Sequence, residues 1–179
     1  MGCDKAFVEI HGVPLWQRQL RVLRSLQPCE KFIAGPARPE WIEACDAIVP
    51  DAPDGAGPLA GLVASLRRCS TPLLLALAID LPQMTPDYLR DLIAVCTDNV
   101  GAIPYQGDRF EPLAAVYPIS ALRLAENCLR SGNYSLQRFA VGCVSEGIAH
   151  ARQIEASQES FFLNVNTPED LAVAAAGAV

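Results

Sequence analysis

Leu73-Leu74-Leu75-Ala76-Leu77-Ala78-Ile79, followed at once by Asp80-Leu81-Pro82, is the stretch on which the fold turns. Seven apolar residues without alternation read as a strand covered on both faces, the pattern of strands inside α/β sheets. Outward from it, short β-like runs alternate with helical ones. Upstream, Phe7–Ile10, Lys31–Ala34 and Asp46–Val49 read as strands, and Pro14–Leu26, Pro39–Cys45 and Leu59–Cys69 as helices. Downstream, Thr85-Pro86-Asp87 opens a helix with a hydroxyl cap, a first-turn proline and an acid. Strands are expected at Val100–Tyr105, Pro112–Tyr117 and Phe161–Val165, and helices at Ile119–Arg130, Ser135–Val141 and after Thr167. Such alternation predicts an α/β fold with a single, doubly wound, mostly parallel sheet, in one domain over residues 1–179.

The bulk properties narrow the function. With 179 residues, 51% hydrophobic and 19% charged, the chain has the composition of a folded domain. A formal net charge of -6 disfavours nucleic acid or an anionic membrane as partner, yet leaves room for a phosphorylated small molecule. Seven dispersed cysteines form no CxxC or Cys/His cluster, so reduced thiols in a cytoplasmic protein are expected. Met1-Gly2-Cys3 lacks the Ser or Thr that myristoylation wants at Ala6, and no secretory leader is read. The apolar run from Pro72 to Ile79 is too short to cross a bilayer.

Open α/β sheets bind ligands beyond the carboxyl ends of their strands. Asp80 stands at such an end, where a carboxylate either ligates a divalent cation or caps the turn. Gly57-Pro58-Leu59-Ala60-Gly61 leads from a glycine-rich loop into a helix N-terminus, which suits an anion but also an ordinary βα connection. Asn164 and Asn166 alternate along an extended segment, so one could cap the next helix while the other faces a ligand. Lys5 follows a glycine and precedes a strand, where its ammonium could meet a phosphate or remain solvated. His11 and His150 stand alone and are read as surface or turn residues.

Taken together and in this order, Met1-Gly2-Cys3-Asp4-Lys5-Ala6, Gly12-Val13-Pro14-Leu15, Gly57 to Gly61, Asp80-Leu81-Pro82 and Asn164-Val165-Asn166-Thr167-Pro168-Glu169-Asp170 resemble the molybdenum cofactor guanylyltransferases. The likeness runs over nearly the whole chain. It implies a Rossmann-like nucleotidyltransferase that transfers GMP from GTP to the terminal phosphate of molybdopterin, releasing pyrophosphate. Alternatives are a related cytidylyl- or sugar-phosphate nucleotidyltransferase, or a non-catalytic binding module on the same fold. The resemblance gives Lys5 the nucleotide phosphates and Asp80 the Mg²⁺ ion, both as catalytic residues. Asp51, with Asp54 as its rival, contacts the nucleoside, and Gly57, Pro58, Leu59, Ala60 and Gly61 complete the nucleotide site. Asn164 and Asn166 face the pterin. Gly107 to Leu113 matches a stretch that lines the site without assigning a role to any one residue. Transient contact with molybdoenzymes or other cofactor-synthesis proteins is also implied. In the family, a strand and a Leu-Ala-Gly-Gly-x-Ser-x-Arg loop precede the Met-Gly that opens this sequence. The expectation is therefore a sheet lacking its usual first strand beside Lys5, and little guanylyltransferase activity from these 179 residues.

Overall fold

Short connections decide which strands pair and how. A computed structural model describes residues 4–49 and 56–176. They fall into two compact units. The first comprises the described residues of 1–28, 77–91 and 154–179, and the second residues 29–76 and 92–153.

In the first unit a 3₁₀ turn, Lys5–Phe7, is capped by the Asp4 carboxylate, which accepts from the Ala6 N–H at 3.1 Å. A two-residue hairpin follows, β1 (Glu9–Ile10) against β2 (Val13–Pro14). Its turn holds His11 and Gly12 at φ 52° and 72°, the left-handed region that glycine tolerates and histidine rarely enters. Helix α1 (Leu15–Ser25) buries Leu15, Gln19 and Leu20. Ile10, Leu15, Val165 and Ala174 form a small core, with Val8, Ile79, Leu171 and Ala175 packed against it. The Tyr88 ring meets Phe161 and Phe162 edge-on, at centroid distances of 5.8 and 5.3 Å. Phe161–Val165 was expected as a strand; instead a 3₁₀ helix, Ala156–Phe162, runs into irregular extended chain. This short apolar run satisfies its burial through those aromatic contacts rather than a ladder. Helix α6 (Pro168–Ala176) closes the unit.

The second unit carries β3 (Phe32–Ala34) parallel to β4 (Ala47–Val49), joined through a 3₁₀ turn at Pro39–Trp41 where a longer helix was expected. Helix α2 (Pro58–Arg68) buries Leu59, Leu62, Val63 and Leu66. A five-stranded sheet contains β5 (Leu73–Leu77), β6 (Gly101–Gln106), β7 (Arg109–Phe110), β8 (Ala114–Pro118) and β9 (Ala149–Gln153). Its order is β5-β8-β6-β7, with β9 also pairing β6. Leu77, the last residue of β5, belongs to the first unit, and α3 (Pro86–Ala94) likewise crosses the division. Helices α4 (Ala121–Arg130) and α5 (Leu136–Ser145) connect β8 to β9. Tyr117, Phe139, Ile103 and Cys143 are fully buried in the core beneath them.

The α/β class stands, while the sheet departs from the single, mostly parallel arrangement expected. The described strands form three separate ladders, and the largest is mixed. The chain reverses from β6 to β7 through Gly107-Asp108 and reaches β8 after three more residues. Such connections are too short for a crossover, so β6 pairs antiparallel with β7 and β8. The return from β8 passes through two helices, and β9 is parallel to β6. Both β7 and β9 escaped the sequence reading. The expectation that the Leu73 run is covered on both faces is also corrected. Every position of β5 is half-buried, and β5 stands at the end of the strand order among the described residues. Among the described residues no helix is long and apolar enough to cross a membrane.

Candidate nucleotide site

The chemistry-bearing residues of the first unit come from three distant parts of the chain. Lys5 lies in the 3₁₀ turn that Asp4 caps, Asp80 in the turn after β5, and Asn166 just before α6. The Lys5 ammonium donates to the Asn166 side-chain oxygen, and it stands 3.7 Å from Asp80 Oδ2. Lys5 and Asp80 both keep part of their side chains accessible, so a ligand can reach the pair.

Each member is fixed through its backbone. Val165 N–H donates to the Asp80 carbonyl at 2.9 Å, tying the asparagine segment to the Asp80 turn. The Thr167 hydroxyl accepts from Asp170 N–H at 3.1 Å, and the Asp170 carboxylate accepts from Asn166 N–H at 2.9 Å and Thr167 N–H at 2.8 Å. This reciprocal cap satisfies donors at the start of α6. The Asn166 and Thr167 amides, then the Thr167 hydroxyl, hold the Asp170 carboxyl below its ordinary value, with a smaller contribution from the Lys5 charge. Capping therefore falls to Thr167 and Asp170, and Asn166 is left to engage Lys5. Asn164 is half-buried, its amide donating to the Phe162 carbonyl at 3.5 Å.

The sequence reading missed Gln19. Its side chain is 6% exposed, and Nε2 donates to the Ala78 carbonyl at 2.9 Å and the Leu81 carbonyl at 2.7 Å, bracketing Asp80. A polar residue one turn beyond Leu15, inside the apolar stripe of α1, is the signal that could have disclosed it.

In the second unit, Gly57 precedes α2 at φ 60° and Pro58 takes the first helical position. Gly57 and Pro58 are exposed, whereas Leu59, Ala60 and Gly61 are buried. Leu59, Ala60 and Gly61 thus belong to the core, and only the first two residues of this motif are open to a ligand. Asp51 and Asp54 lie outside the described residues. The Gly107–Leu113 stretch forms the β6–β7 turn, β7 and the connection to β8. A shallow cavity of about 260 Å³ there is lined by Tyr105, Gly107, Asp108, Phe110 and Ala151. Gln137 braces β7 by accepting from Phe110 N–H at 3.0 Å and donating to its carbonyl at 2.8 Å.

No group of three or more His, Cys, Asp or Glu lies together among the described residues, so none of them builds a closed zinc-type cage. A single accessible carboxylate with an amide oxygen nearby suits a hard divalent cation that completes its shell with phosphate and water. The Asp80–Asn166 region fits such an ion.

The chain matches the family described as "MobA-like NTP transferase domain" over residues 1–147. A "Probable molybdenum cofactor guanylyltransferase" of Opitutus terrae is 36% identical over 178 residues, covering 95% of this chain and 86% of that protein. The molybdenum cofactor guanylyltransferase of Serratia proteamaculans is 30% identical over 171 residues, covering 94% and 84%. The crystal structure of molybdopterin-guanine dinucleotide biosynthesis protein A from Archaeoglobus fulgidus superposes with a TM-score of 0.73 at 24% identity, covering 98% of this chain and 90% of its own.

Proposed function

Because the chain belongs to the MobA-like NTP transferase domain family, we propose that it is a molybdenum cofactor guanylyltransferase that moves GMP from GTP onto molybdopterin. The observation that carries this reading is the convergence of Lys5, Asp80 and Asn166 at one accessible place. A terminal phosphate oxygen of molybdopterin attacks the α-phosphorus of GTP, the bond from that phosphorus to the bridging oxygen breaks, and pyrophosphate leaves. Such transfers depend on placement and charge neutralisation rather than covalent help from the protein.

Lys5 supplies a fixed positive charge to the triphosphate, and the Asn166 amide keeps its ammonium oriented until the nucleotide arrives. Asp80 holds Mg²⁺, which when bound neutralises phosphate oxygens. Within the Gly57 to Gly61 motif Pro58 carries no N–H and the Ala60 N–H donates to the Gly57 carbonyl at 3.0 Å, so the nucleotide is met at the exposed Gly57-Pro58 start of α2. Asp51, or Asp54 in its place, contacts the nucleoside. Asn164 and Asn166 face the pterin, with Asn166 exchanging its lysine contact for one to the acceptor.

Thermal-shift titration of the full chain with GTP, CTP and ATP, each with Mg²⁺, tests base choice, because only a ligand of the native state raises the melting temperature. GTP is expected to raise it most, and incubation with GTP and molybdopterin should yield the guanine dinucleotide by mass spectrometry, a result that would overturn the sequence-based expectation of little activity. A shift with CTP alone would reassign the enzyme to a cytidylyl transfer.

A further inference from the structure

Gln19 serves the site without reaching it. It projects from α1 in the apolar face that contains Leu15 and Leu20, where an uncompensated carboxamide is costly. Both protons of its Nε2 are used, on the Ala78 and Leu81 carbonyls. Its Oε1 is buried without a partner among the described residues. Two acceptors fix the amide orientation, since the reversed amide would oppose oxygen to oxygen at both ends. The residues between those carbonyls are Ile79 and Asp80, and the Asp80 carbonyl is bound in turn by Val165 N–H. Three hydrogen bonds thus pin a four-residue turn whose one accessible charge is the Asp80 carboxylate.

We propose that Gln19 is a positioning residue for the metal-nucleotide site, holding the Ala78–Leu81 turn so that Asp80 stays aimed beside Lys5. The proposal rests on the reading of Asp80 as the metal-binding carboxylate. Groups that orient a metal ligand through hydrogen bonds govern affinity without touching the ion. An apolar residue at position 19 preserves the packing of α1 but removes the donor of the Ala78 carbonyl and leaves the Leu81 carbonyl to Met84 N–H at 3.1 Å, so the Ala78–Asp80 end of the turn loses its tie to α1 and Asp80 can rotate away.

The test compares the full chain with Gln19→Leu and, as a control for stability alone, Leu20→Ala on the same helix. Mn²⁺ affinity in the presence of GTP is read by electron paramagnetic resonance, and hydrogen exchange of the Val165 amide by NMR without ligand. Gln19→Leu is expected to weaken Mn²⁺ binding by on the order of 10-fold. It should also speed exchange at Val165 while the Leu171 amide inside α6 keeps its protection. Leu20→Ala should lower the melting temperature with Mn²⁺ affinity preserved. If Gln19→Leu matches the parent in Mn²⁺ affinity and Val165 exchange, the positioning role is refuted while the guanylyltransferase reading survives. If the parent itself binds no Mn²⁺ with GTP, both fall together. Equal loss of Mn²⁺ affinity in Leu20→Ala would reduce Gln19 to a stabilising residue and overturn the proposal.

Discussion

Replacing Lys5 with methionine removes the ammonium while keeping the length of the side chain, and it separates catalytic from structural use of this residue. The ammonium stands 3.7 Å from the Asp80 carboxylate. Coulomb's law gives about 1 kcal/mol for that separation in water and about 4 kcal/mol at an effective dielectric near 20. Lys5 and Asp80 are 40% and 23% exposed, so solvent screening brings the pair toward the ~0.2–1 kcal/mol of accessible ion pairs. The bond to Asn166, also exposed, adds about 1 kcal/mol at most. Loss of both should lower the melting temperature by less than about 8 °C for a chain of this size.

The effect on substrate is larger because a triphosphate brings its charge into a partly desolvated site. An ammonium about 4 Å from a phosphate oxygen is worth roughly 4 kcal/mol at the same effective dielectric. Discounted by about a third for residual water, that corresponds to a ~100-fold loss in rate. The assay is GTP-dependent pyrophosphate release with molybdopterin, read beside the thermal melt for parent and Lys5→Met. A rate within about 3-fold of the parent, at an unchanged melting temperature, would refute the phosphate role, since ~100-fold is the expected loss. A melting drop above about 10 °C would show that Lys5 chiefly holds the fold, since it exceeds what these two contacts supply.

Further outcomes follow from the same structure. Asp170→Asn should weaken the hold on the Asn166 and Thr167 amides and raise the KM for the acceptor more than it lowers kcat, measured by steady-state kinetics. Because the Asp170 carboxyl is depressed, its contribution is present above the unfolded carboxylate pKa and is lost as pH falls through the lower folded value. An NMR titration should show its carboxyl protonating below the ordinary aspartate range. A methyl at Gly101 would lie 2.0 Å from the Val116 carbonyl oxygen, so Gly101→Ala must push β6 from β8 and should cost about 1–3 kcal/mol in chemical denaturation. Burial pushes the Cys143 thiol up to about 12, so at pH 8 it should resist iodoacetamide until the chain unfolds, while exposed Cys29 reacts in the native state.

Much of the local structure is written in the sequence. The apolar spacing of α1, the Thr85 cap and the Gly57-Pro58 helix start all act within one or two turns of chain, and each appears where the residues predict it. Lys5, Asp80 and Asn166 stand out as candidates by their places beside a strand, a strand end and a cap, each with an ordinary local reading beside it, and their roles come from the resemblance. Elements whose identity depends on distant partners were not legible. Strand β7 has two residues, and β9 reads Ala-His-Ala-Arg-Gln, whose alternation rests on two small alanines with little apolar surface to bury, so neither carries a strong strand signal. Each exists because β6 offers it a ladder. Phe161–Val165 has the apolarity of a strand, yet the Tyr88 ring gives its phenylalanines a place to pack without one. Tertiary structure alone brought residues 5, 80 and 166 together and placed the Gln19 amide across the Asp80 turn. Periodicity and capping report forces that act between neighbours in sequence, whereas a site is fixed by hydrogen bonds and charges between residues dozens of positions apart.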